Sequence, residues 1–469
     1  MEKKRSGVQI RWACSLNRSA GCRGAVTTDQ NPIANPRHHV AHNHHADHDA
    51  VEYIKFRANL RENASANVTA STRNIIAAGV NNLPQNALLH VGPMDTLRRD
   101  VQRHKSKNRP VEPIDLASIA LVFPWTTTGG AAPQPFLIYD SGPMAANNRV
   151  LVFAAPDALT QLGSTDWWYM DGNFKCAPNI FMQLYVIRGR LDSGAVTCVY
   201  ALLPGKSGQI YTEMFQAVQT EMLRMGVFPN VSHVSVDFEI AAYDAVRAVF
   251  GNQITIHGCF FHLTQSTDKH VGDLGLRQLV RNDARAARFV AMMDGLAFLP
   301  LNDVVLGARL LQNVIPNSAL QPLFNYFMEY YVLGPVVAIN PIQRGPPPPM
   351  FPPAVWNVFD TTLRFGGTRT NNICEGWNHA FNNMVGARHP PFYRLLEFIQ
   401  RDYSYTRVAL AASNAGTPHT PRKRRNYVQH QNNLKRLCTL YSQRHPQYVG
   451  HQGIILYLER IAQNIHLDF

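Results

Sequence analysis

Short apolar runs alternate with turn residues in the middle of the chain. Each run is rich in Val, Ile, Tyr and Phe. Runs of this length and composition predict β-strands, several of them in antiparallel hairpins. The seven predicted strands are PFLIYD (135–140), RVLVFA (149–154), WWYMDGNF (167–174), FMQLYVIRG (181–189), AVTCVYALL (195–203), VSHVSVDFE (231–239) and ITIHGCFFH (254–262).

Helical patterns follow the fifth and sixth of these strands. The first covers roughly residues 208–226, and the second is IAAYDAVRAVF (240–250). Hairpin strands followed by alternating helices and strands predict a mixed sheet with helices on its faces. The expected fold class for this part of the chain is therefore α/β.

The rest of the chain is predicted to be mainly helical. Residues 276–335 show helical patterns throughout, and the proline-rich stretch PIQRGPPPPMFPP (341–353) then forms an extended break. Other helices are predicted at 51–64, 93–110, 368–385 and 390–410, with two more helical patterns after residue 427.

The charge balance points to a class of partner. Lys and Arg number 45 against 32 acidic residues, which gives a formal charge of +13 and a pI near 9.5. Such an excess predicts a polyanionic partner, either nucleic acid or an anionic membrane surface. The membrane is disfavoured because no apolar run approaches the ~18 residues of a spanning helix.

Cysteine usage bears on the redox environment. The seven cysteines are scattered and odd in number, which argues against a disulfide framework. The N-terminal sequence MEKKRSGVQIRW lacks the apolar region of a signal peptide. We therefore expect an intracellular protein with reduced thiols, in which clustered cysteines are candidates for metal binding.

Cysteines and histidines cluster near the N-terminus. Cys14 and Cys22 are followed by His42 and His44. Two thiolates and two imidazoles suit tetrahedral Zn²⁺. The alternative is a set of exposed histidines beside unrelated cysteines, since six of the 19 histidines fall within residues 38–48.

Three acidic residues stand where their carboxylates can converge. Asp171 lies in the strand WWYMDGNF, Asp237 comes late in the strand VSHVSVDFE, and Glu375 lies near the start of a predicted helix. Together they would place three oxygen ligands around one point, and such hard ligands suit Mg²⁺ or Mn²⁺. Two ions of this kind activate an attacking oxygen and stabilise the leaving oxygen of a phosphodiester.

Each acidic residue also has a purely structural interpretation. Asp171 precedes a glycine and fits a turn, and Asp237 fits the N-cap of the following helix. Glu375 fits a capping arrangement with Thr370 or Asn372. Only the joint placement of the three residues favours a metal site.

Taken in order, these motifs resemble the transposase domain of Mutator-like elements (MULE). The resemblance covers about residues 134–410. It implies a DDE-type enzyme with an RNase H-like fold, a mixed sheet flanked by helices and interrupted by an all-helical insertion. The motifs that carry it are MDGNFK (170–175), VDFEIAAYDAVRAVF (236–250), GCFFH (258–262) and TRTNNICEGWNHAFNNMVG (368–386).

The resemblance assigns roles by position. Asp171, Asp237 and Glu375 match the catalytic residues that hold Mg²⁺ or Mn²⁺. Cys259 and His262 match the family's C-x-x-H motif, which is expected to support the active site. A buried core position stays the alternative for Cys259.

Two positions depart from the family pattern. Asn173 replaces the usual threonine, and Asn378 stands where histidine often follows the tryptophan. Neither substitution removes a predicted metal ligand.

The N-terminal cluster is similar to the FLYWCH zinc finger. The similarity rests on Trp12-Ala13-Cys14, Cys22-Arg23-Gly24-Ala25 and His42-Asn43-His44. Such a finger normally opens with more aromatic strand sequence. The resemblance therefore implies a shortened finger that holds one structural Zn²⁺.

These patterns predict a division of the chain into five parts. They are a FLYWCH-like finger (1–50), a helical, basic DNA-binding or linker segment (51–133), an RNase H-like catalytic domain (134–275 and 368–410), a helical insertion with a proline-rich segment (276–367) and a basic helical tail (411–469).

The MULE resemblance implies that the protein cuts transposon ends and joins them to target DNA. Double-stranded DNA is the expected partner, and joining two ends implies a homo-oligomer. The run PRKRR fits a nuclear localisation signal, so a nuclear protein is expected. Two basic segments would contact phosphates, with a solvated surface as the alternative; their residues are Arg98, Arg99, Arg103, Lys105, Lys107, Arg422, Lys423, Arg424 and Arg425.

A function of another class stays open. A domesticated, non-catalytic DNA-binding or transcription-regulatory protein would keep the fold and lose transposition, and the shortened finger favours it. A zinc-finger adaptor whose large domain serves protein contacts is a third interpretation. The intact set of three carboxylates favours the enzyme.

Overall fold

The computed structural model describes most of the chain as two compact units. The described residues are 2–6, 9–29, 37–66, 72–107, 109–130, 132–192, 194–335, 347–364, 372–417 and 425–465. The first unit comprises residues 1–110 and the second residues 111–469.

The first unit combines a small antiparallel sheet with helices. Its four strands pair in sequence order, each antiparallel to the next. The strands are β1 (Glu2–Ser6), β2 (Gln9–Ala13), β3 (Ala25–Asp29) and β4 (Arg37–Val40), and the helices are α1 (Asn17–Ala20), α2 (His48–Ala66), α3 (Thr72–Asn81) and α4 (Met94–Ser106).

Helical spacing builds the core of the three longer helices in this unit. The buried apolar side chains on α2 recur every four residues, which places them along one face of the helix. They pack against α3 and α4. The buried set is Phe56, Leu60, Ala64, Ile75, Ile76, Leu97 and Val101.

A buried carboxylate joins α4 to α2. Asp100 is 5% exposed and accepts hydrogen bonds from Arg57 and, at 3.0 Å, from Nε of Arg61. Burial alone would raise the pKa of Asp100, but the two guanidinium groups outweigh it and lower that pKa. The ion pair fixes which face of α4 is turned away from α2.

The second unit is built on a seven-stranded mixed sheet. The strand order is β11-β10-β7-β8-β9-β6-β5. β7 pairs in parallel with β10, and β10 with β11, whereas the remaining pairs are antiparallel. The strands are β5 (Leu137–Asp140), β6 (Leu151–Phe153), β7 (Trp167–Asn173), β8 (Gln183–Leu191), β9 (Gly194–Leu203), β10 (His233–Val236) and β11 (Thr255–Gly258).

Helices surround this sheet and form a separate layer beside it. The C-terminal helix α18 packs on α10 and α11, and Tyr457 Oη donates a 2.6 Å hydrogen bond to the Phe298 carbonyl. The helices are α5 (Pro156–Ser164), α6 (Gly208–Arg224), α7 (Ile240–Phe250), α8 (Phe260–Asp273), α9 (Arg277–Asn282), α10 (Ala284–Gly295), α11 (Val304–Gln312), α12 (Gln321–Phe327), α13 (Pro353–Trp356), α14 (Phe359–Arg364), α15 (Asn372–Val385), α16 (Phe392–Asn414), α17 (Arg425–Ser442) and α18 (Gly450–Ile465).

The predicted α/β class is confirmed. Each of the seven apolar runs contains one strand of the mixed sheet. All seven cysteines are free and buried. Among the described residues, the helices are too short or too polar to cross a membrane.

Candidate active site and metal centre

The parallel strands bring three predicted residues to one edge of the sheet. β10 pairs with β7 so that Ser235 lies opposite Tyr169, and two residues further on Asp237 comes level with Asp171. β11 pairs with β10 so that Gly258 lies opposite Val236. Cys259 follows directly, and its backbone N–H donates to the Val236 carbonyl at 3.1 Å.

The alternation of side chains along β7 turns Asp171 towards α15. Trp168 and Met170 belong to the main core of the second unit, whereas Trp167 and Tyr169 pack with Cys374 of α15. Asp171 has the same parity as Trp167 and Tyr169, because successive side chains of a strand point to opposite faces. Only 7% of its surface is exposed.

The turn interpretation of Asp171 and the N-cap interpretation of Asp237 do not agree with the structure. Asp171 lies inside β7, which continues to Asn173. The N-cap position of α7 is occupied by Glu239, and no side chain caps that helix end. Asp237 is therefore not a capping residue, and Asp171 is not in a turn.

Helix α15 brings Glu375 to the same place. Glu375 lies in the first turn of α15, and its Oε1 is 3.7 Å from the Sγ of Cys259. One ligand atom each from Cys259, His262 and Glu375 lies within 4.8 Å of the others. His262, two residues into α8, also places its Nδ1 2.8 Å from Oδ1 of Asp237.

A buried hydrogen-bond network holds α15 on the sheet. Oδ2 of Asp402, on α16, accepts from Tyr200 Oη at 2.6 Å and from Trp377 Nε1 at 2.9 Å. The guanidinium of Arg188 lies 5.8 Å from the centre of the Trp377 ring. β8, β9 and α16 thus all fix Trp377, which lies two residues after Glu375.

Asparagine side chains continue this connection to β7. Asn378 Nδ2 donates a 2.6 Å hydrogen bond to Oδ2 of Asp171, and its Oδ1 accepts from Asn173 Nδ2 at 2.9 Å. Asn173 also reaches Asn382 at 3.2 Å. Asn173 and Asn378 therefore contact each other, and Asn378 orients the Asp171 carboxylate.

The electrostatics of the site are those of a buried carboxylate beside partly exposed acidic groups. Burial, and after it the charge of Asp237, raises the pKa of Asp171 to about 8. Burial also raises the pKa of Glu375. Burial alone would lower the pKa of His262, but contact with Asp237 and Cys259 raises it to about 11, so His262 is a cation beside the carboxylates.

This donor set fits a divalent cation with hard-ligand preference. Asp171 and Asp237 offer carboxylate oxygens side by side, and Glu375 adds a third next to Cys259 and His262. Oxygens are the ligands preferred by Mg²⁺ and Mn²⁺. The pKa of Asp171 is raised first by burial and second by the charge of Asp237, and a bound cation would offset both effects. These residues therefore fit Mg²⁺ or Mn²⁺.

A cleft of about 360 Å³ opens beside Asp171 and Asp237. Its floor contains two buried polar atoms, Oε1 of Gln183 and Oη of Tyr185, which have no hydrogen-bond partner among the described residues. Gly172 is needed here, since a Cβ atom at that position would lie 2.2 Å from Gln183 Oε1. The cleft is lined by Asp171, Gly172, Phe174, Gln183, Tyr185, Lys206, Val236, Asp237, Phe238 and Glu239.

A second cluster lies in the first unit. Ligand atoms of Cys14, Cys22, His42 and His44 all lie within 4.8 Å of one another. Sulfur–nitrogen distances are 3.3 Å for Cys14–His44 and 3.4 Å for Cys22–His42, and the two ring nitrogens are 3.1 Å apart. Tetrahedral Zn²⁺ would set these separations at about 3.6 Å and about 3.3 Å, from its usual bond lengths.

The surroundings of this cluster also suit a metal. Backbone N–H groups of Leu16 and Gly24 approach the sulfurs of Cys14 and Cys22, each at 3.4 Å, and such contacts stabilise thiolates. Nδ1 of His44 lies 2.8 Å from the His45 carbonyl, which leaves Nε2 as the ligand atom. The four residues can therefore hold one metal ion.

The predicted DNA-contacting residues divide between described and undescribed parts. On α4, Arg98, Arg99 and Arg103 are exposed, as is Lys107 just after it, and Lys105 is half-buried. Arg98 pairs with Asp95 at 2.9 Å. Residues 422–424 lie outside the described residues, and Arg425 begins α17 with its side chain outside them as well.

One known family matches part of the second unit. Residues 167–266 match the MULE transposase domain. The matched range contains Asp171, Asp237, Cys259 and His262, and it ends before Glu375. The match supports a transposase-related function for this domain. No curated protein matches the chain.

Some residues around this site could not be recognised from the sequence pattern. Asn378 follows Glu375 by three residues, so helical spacing could have placed both on one face of α15. Gln183, Tyr185 and Lys206 line the cleft from β8 and from the residues after β9. No local sequence pattern predicts these three residues, because only the pairing of the strands in the folded sheet brings them close to Asp171.

The Asp402 network predicts a graded effect of substitution on α15. Asp402→Ala removes the acceptor of two hydrogen bonds and should destabilise the docking of α15 by about 3 kcal/mol. Asp402→Asn can present its amide oxygen to both donors and should cost about 1 kcal/mol. Hydrogen exchange of α15 peptides in the full chain measures this, and equal protection in the two variants would contradict the network's role.

Proposed function

We propose that this protein is a DDE-type DNA transposase of the Mutator-like kind. The observation that carries the proposal is the placement of Asp171 beside Asp237, with Glu375 brought next to Cys259 and His262, in a sheet whose strands β7 to β11 match the MULE transposase domain. An RNase H-like catalytic domain at 134–275 and 368–410 is part of the proposal. Three consecutive antiparallel strands followed by two parallel ones support it.

Asp171, Asp237 and Glu375 would hold Mg²⁺ or Mn²⁺. The cations, when bound, would supply activation of an attacking oxygen and stabilisation of the leaving oxygen of a phosphodiester. Asn378 orients the Asp171 carboxylate through its 2.6 Å hydrogen bond. Cys259 and His262 support the site, because His262 pairs with Asp237 and Cys259 contacts Glu375.

The N-terminal cluster would be a FLYWCH-type zinc finger. Its four ligand atoms and their short separations support structural Zn²⁺, which stabilises small domains that have little apolar core. The arginines Arg98, Arg99 and Arg103 of α4 are exposed, and they form a surface suited to DNA phosphates. The proposed partners are transposon ends and target DNA.

The same proposal extends to assembly and location. Two DNA ends have to meet, so the active species would be a homo-oligomer. The PRKRR run would direct the protein to the nucleus.

Metal-dependent DNA cleavage tests the proposal. The full chain should nick and join DNA that carries the element's ends in Mn²⁺ or Mg²⁺. Glu375→Gln removes a charged ligand and should lower the rate by on the order of a hundredfold or more. Glu329→Gln, a substitution of the same chemistry at an exposed position, should leave the rate unchanged. Metal-independent DNA binding without cleavage by either protein would instead favour the domesticated DNA-binding protein.

The proposed finger predicts a defined metal content. Cys22→Ser should lower bound Zn²⁺ by one equivalent per chain, measured by elemental analysis after gel filtration, and abolish the sulfur-to-metal absorption of the Co²⁺ form. His45→Ala is the matched control, since His45 contributes only its carbonyl to the cluster. Unchanged zinc content in Cys22→Ser would contradict the assignment.

A further inference from the structure

The cleft beside the two aspartates has an unusual charge distribution. Its carboxylates are Asp171, Asp237 and Glu239, and Lys206 is the one basic residue among the ten that line it. A phosphodiester strand that approaches three carboxylates is repelled unless a cation lies close to its path. Lys206 is the side chain placed to supply that charge.

The structure fixes Lys206 on the rim of this cleft. It lies between the end of β9 and Ser207, whose side chain caps α6 by accepting from the Ile210 backbone N–H. Its Nζ is 3.6 Å from Oε1 of Glu239 and 4.4 Å from the centre of the Phe174 ring. The backbone is therefore held in place while the ammonium group faces the cleft.

The contacts of Lys206 are of a kind that a phosphate can replace. The Lys206 side chain is 43% exposed, and Glu239 is 21% exposed. Ion pairs this accessible to water are weak, so exchange of the Glu239 carboxylate for a phosphate costs little. Phe174 is 42% exposed and leaves an aromatic face beside the ammonium group, on which a sugar or base of the strand can pack.

We propose that Lys206 binds a backbone phosphate of the DNA strand that enters the cleft of Asp171 and Asp237, with Phe174 supporting the adjacent nucleotide. This inference rests on the proposed function and adds a positioning residue to it. Glu239 is the counter-ion of Lys206 in the free protein and gives way to the phosphate when DNA is bound. Lysine binds phosphate as a point charge, which suits recognition without sequence preference.

Nicking of supercoiled plasmid in Mn²⁺ measures the contribution of Lys206. Lys206→Ala should raise KM by roughly fivefold to tenfold. It should also make the negative slope of log(kcat/KM) against log[NaCl] shallower by about 0.9, because one phosphate contact is lost. Lys206→Arg keeps the positive charge, so its KM and its salt slope should stay close to those of the wild type. Lys435→Ala, which removes an exposed lysine on α17 outside the cleft, should match the wild type. A wild-type KM and salt slope in Lys206→Ala would overturn the inference.

A double-mutant cycle separates the ion pair from general repulsion. Glu239→Gln frees Lys206 and removes a repelling carboxylate, so it should lower KM, and this gain should be smaller in the Lys206→Ala background. A gain of equal size in both backgrounds would mean that Glu239 acts on DNA directly, and the exchange of counter-ions would be wrong.

Cross-linking tests the contact without requiring catalysis. All seven native cysteines are buried, so Lys206→Cys introduces an accessible thiol. With Ca²⁺ present, it should form a disulfide with a duplex oligonucleotide that carries an activated thiol on one phosphate, and Lys435→Cys should not. If the wild type fails to nick DNA but Lys206→Cys cross-links selectively, the proposed transposase activity fails and the DNA contact stands. Absence of selective cross-linking by Lys206→Cys, with nicking by the wild type, would overturn the contact alone.

Discussion

The docking of α15 against β7 is the interaction on which the site depends. Glu375 and Asn378 both lie on this helix, and Trp377 between them is held by Asp402 and lies near Arg188. The network is buried and joins elements far apart in sequence, from β9 to α16. Broken hydrogen bonds there would leave buried donors without partners, so the docked arrangement is strongly preferred.

The sheet places two carboxylates close together, and neighbouring side chains offset their repulsion. Asp171 lies buried in β7, and Asp237 lies level with it directly after the neighbouring parallel strand β10, where it is partly exposed. His262 supplies a positive charge to Asp237, and Asn378 donates to Asp171. Acidic groups held in this way would be stabilised by a bound cation, as the proposed metal site requires.

Local patterns were enough to predict the strands and the candidate carboxylates. Apolar runs bounded by turn residues marked β5 to β11, and the strand positions of Asp171 and Asp237 followed from the same runs. The contacts that orient them could not be predicted in this way. Asn378 meets Asp171 across 207 residues, and Tyr200 meets Asp402 across 202, so each depends on tertiary packing. Lys206 follows a strand like many surface lysines, and only the cleft distinguishes it.

The central claim is that three carboxylates form one metal site. Anomalous diffraction from crystals of the full chain soaked in Mn²⁺ tests it most directly. The account predicts a manganese peak within bonding distance of Asp171, Asp237 and Glu375, which disappears in Asp171→Asn. A peak held by Cys259, His262 and Glu375 with Asp171 unbound, or no peak at this edge of the sheet, would contradict it.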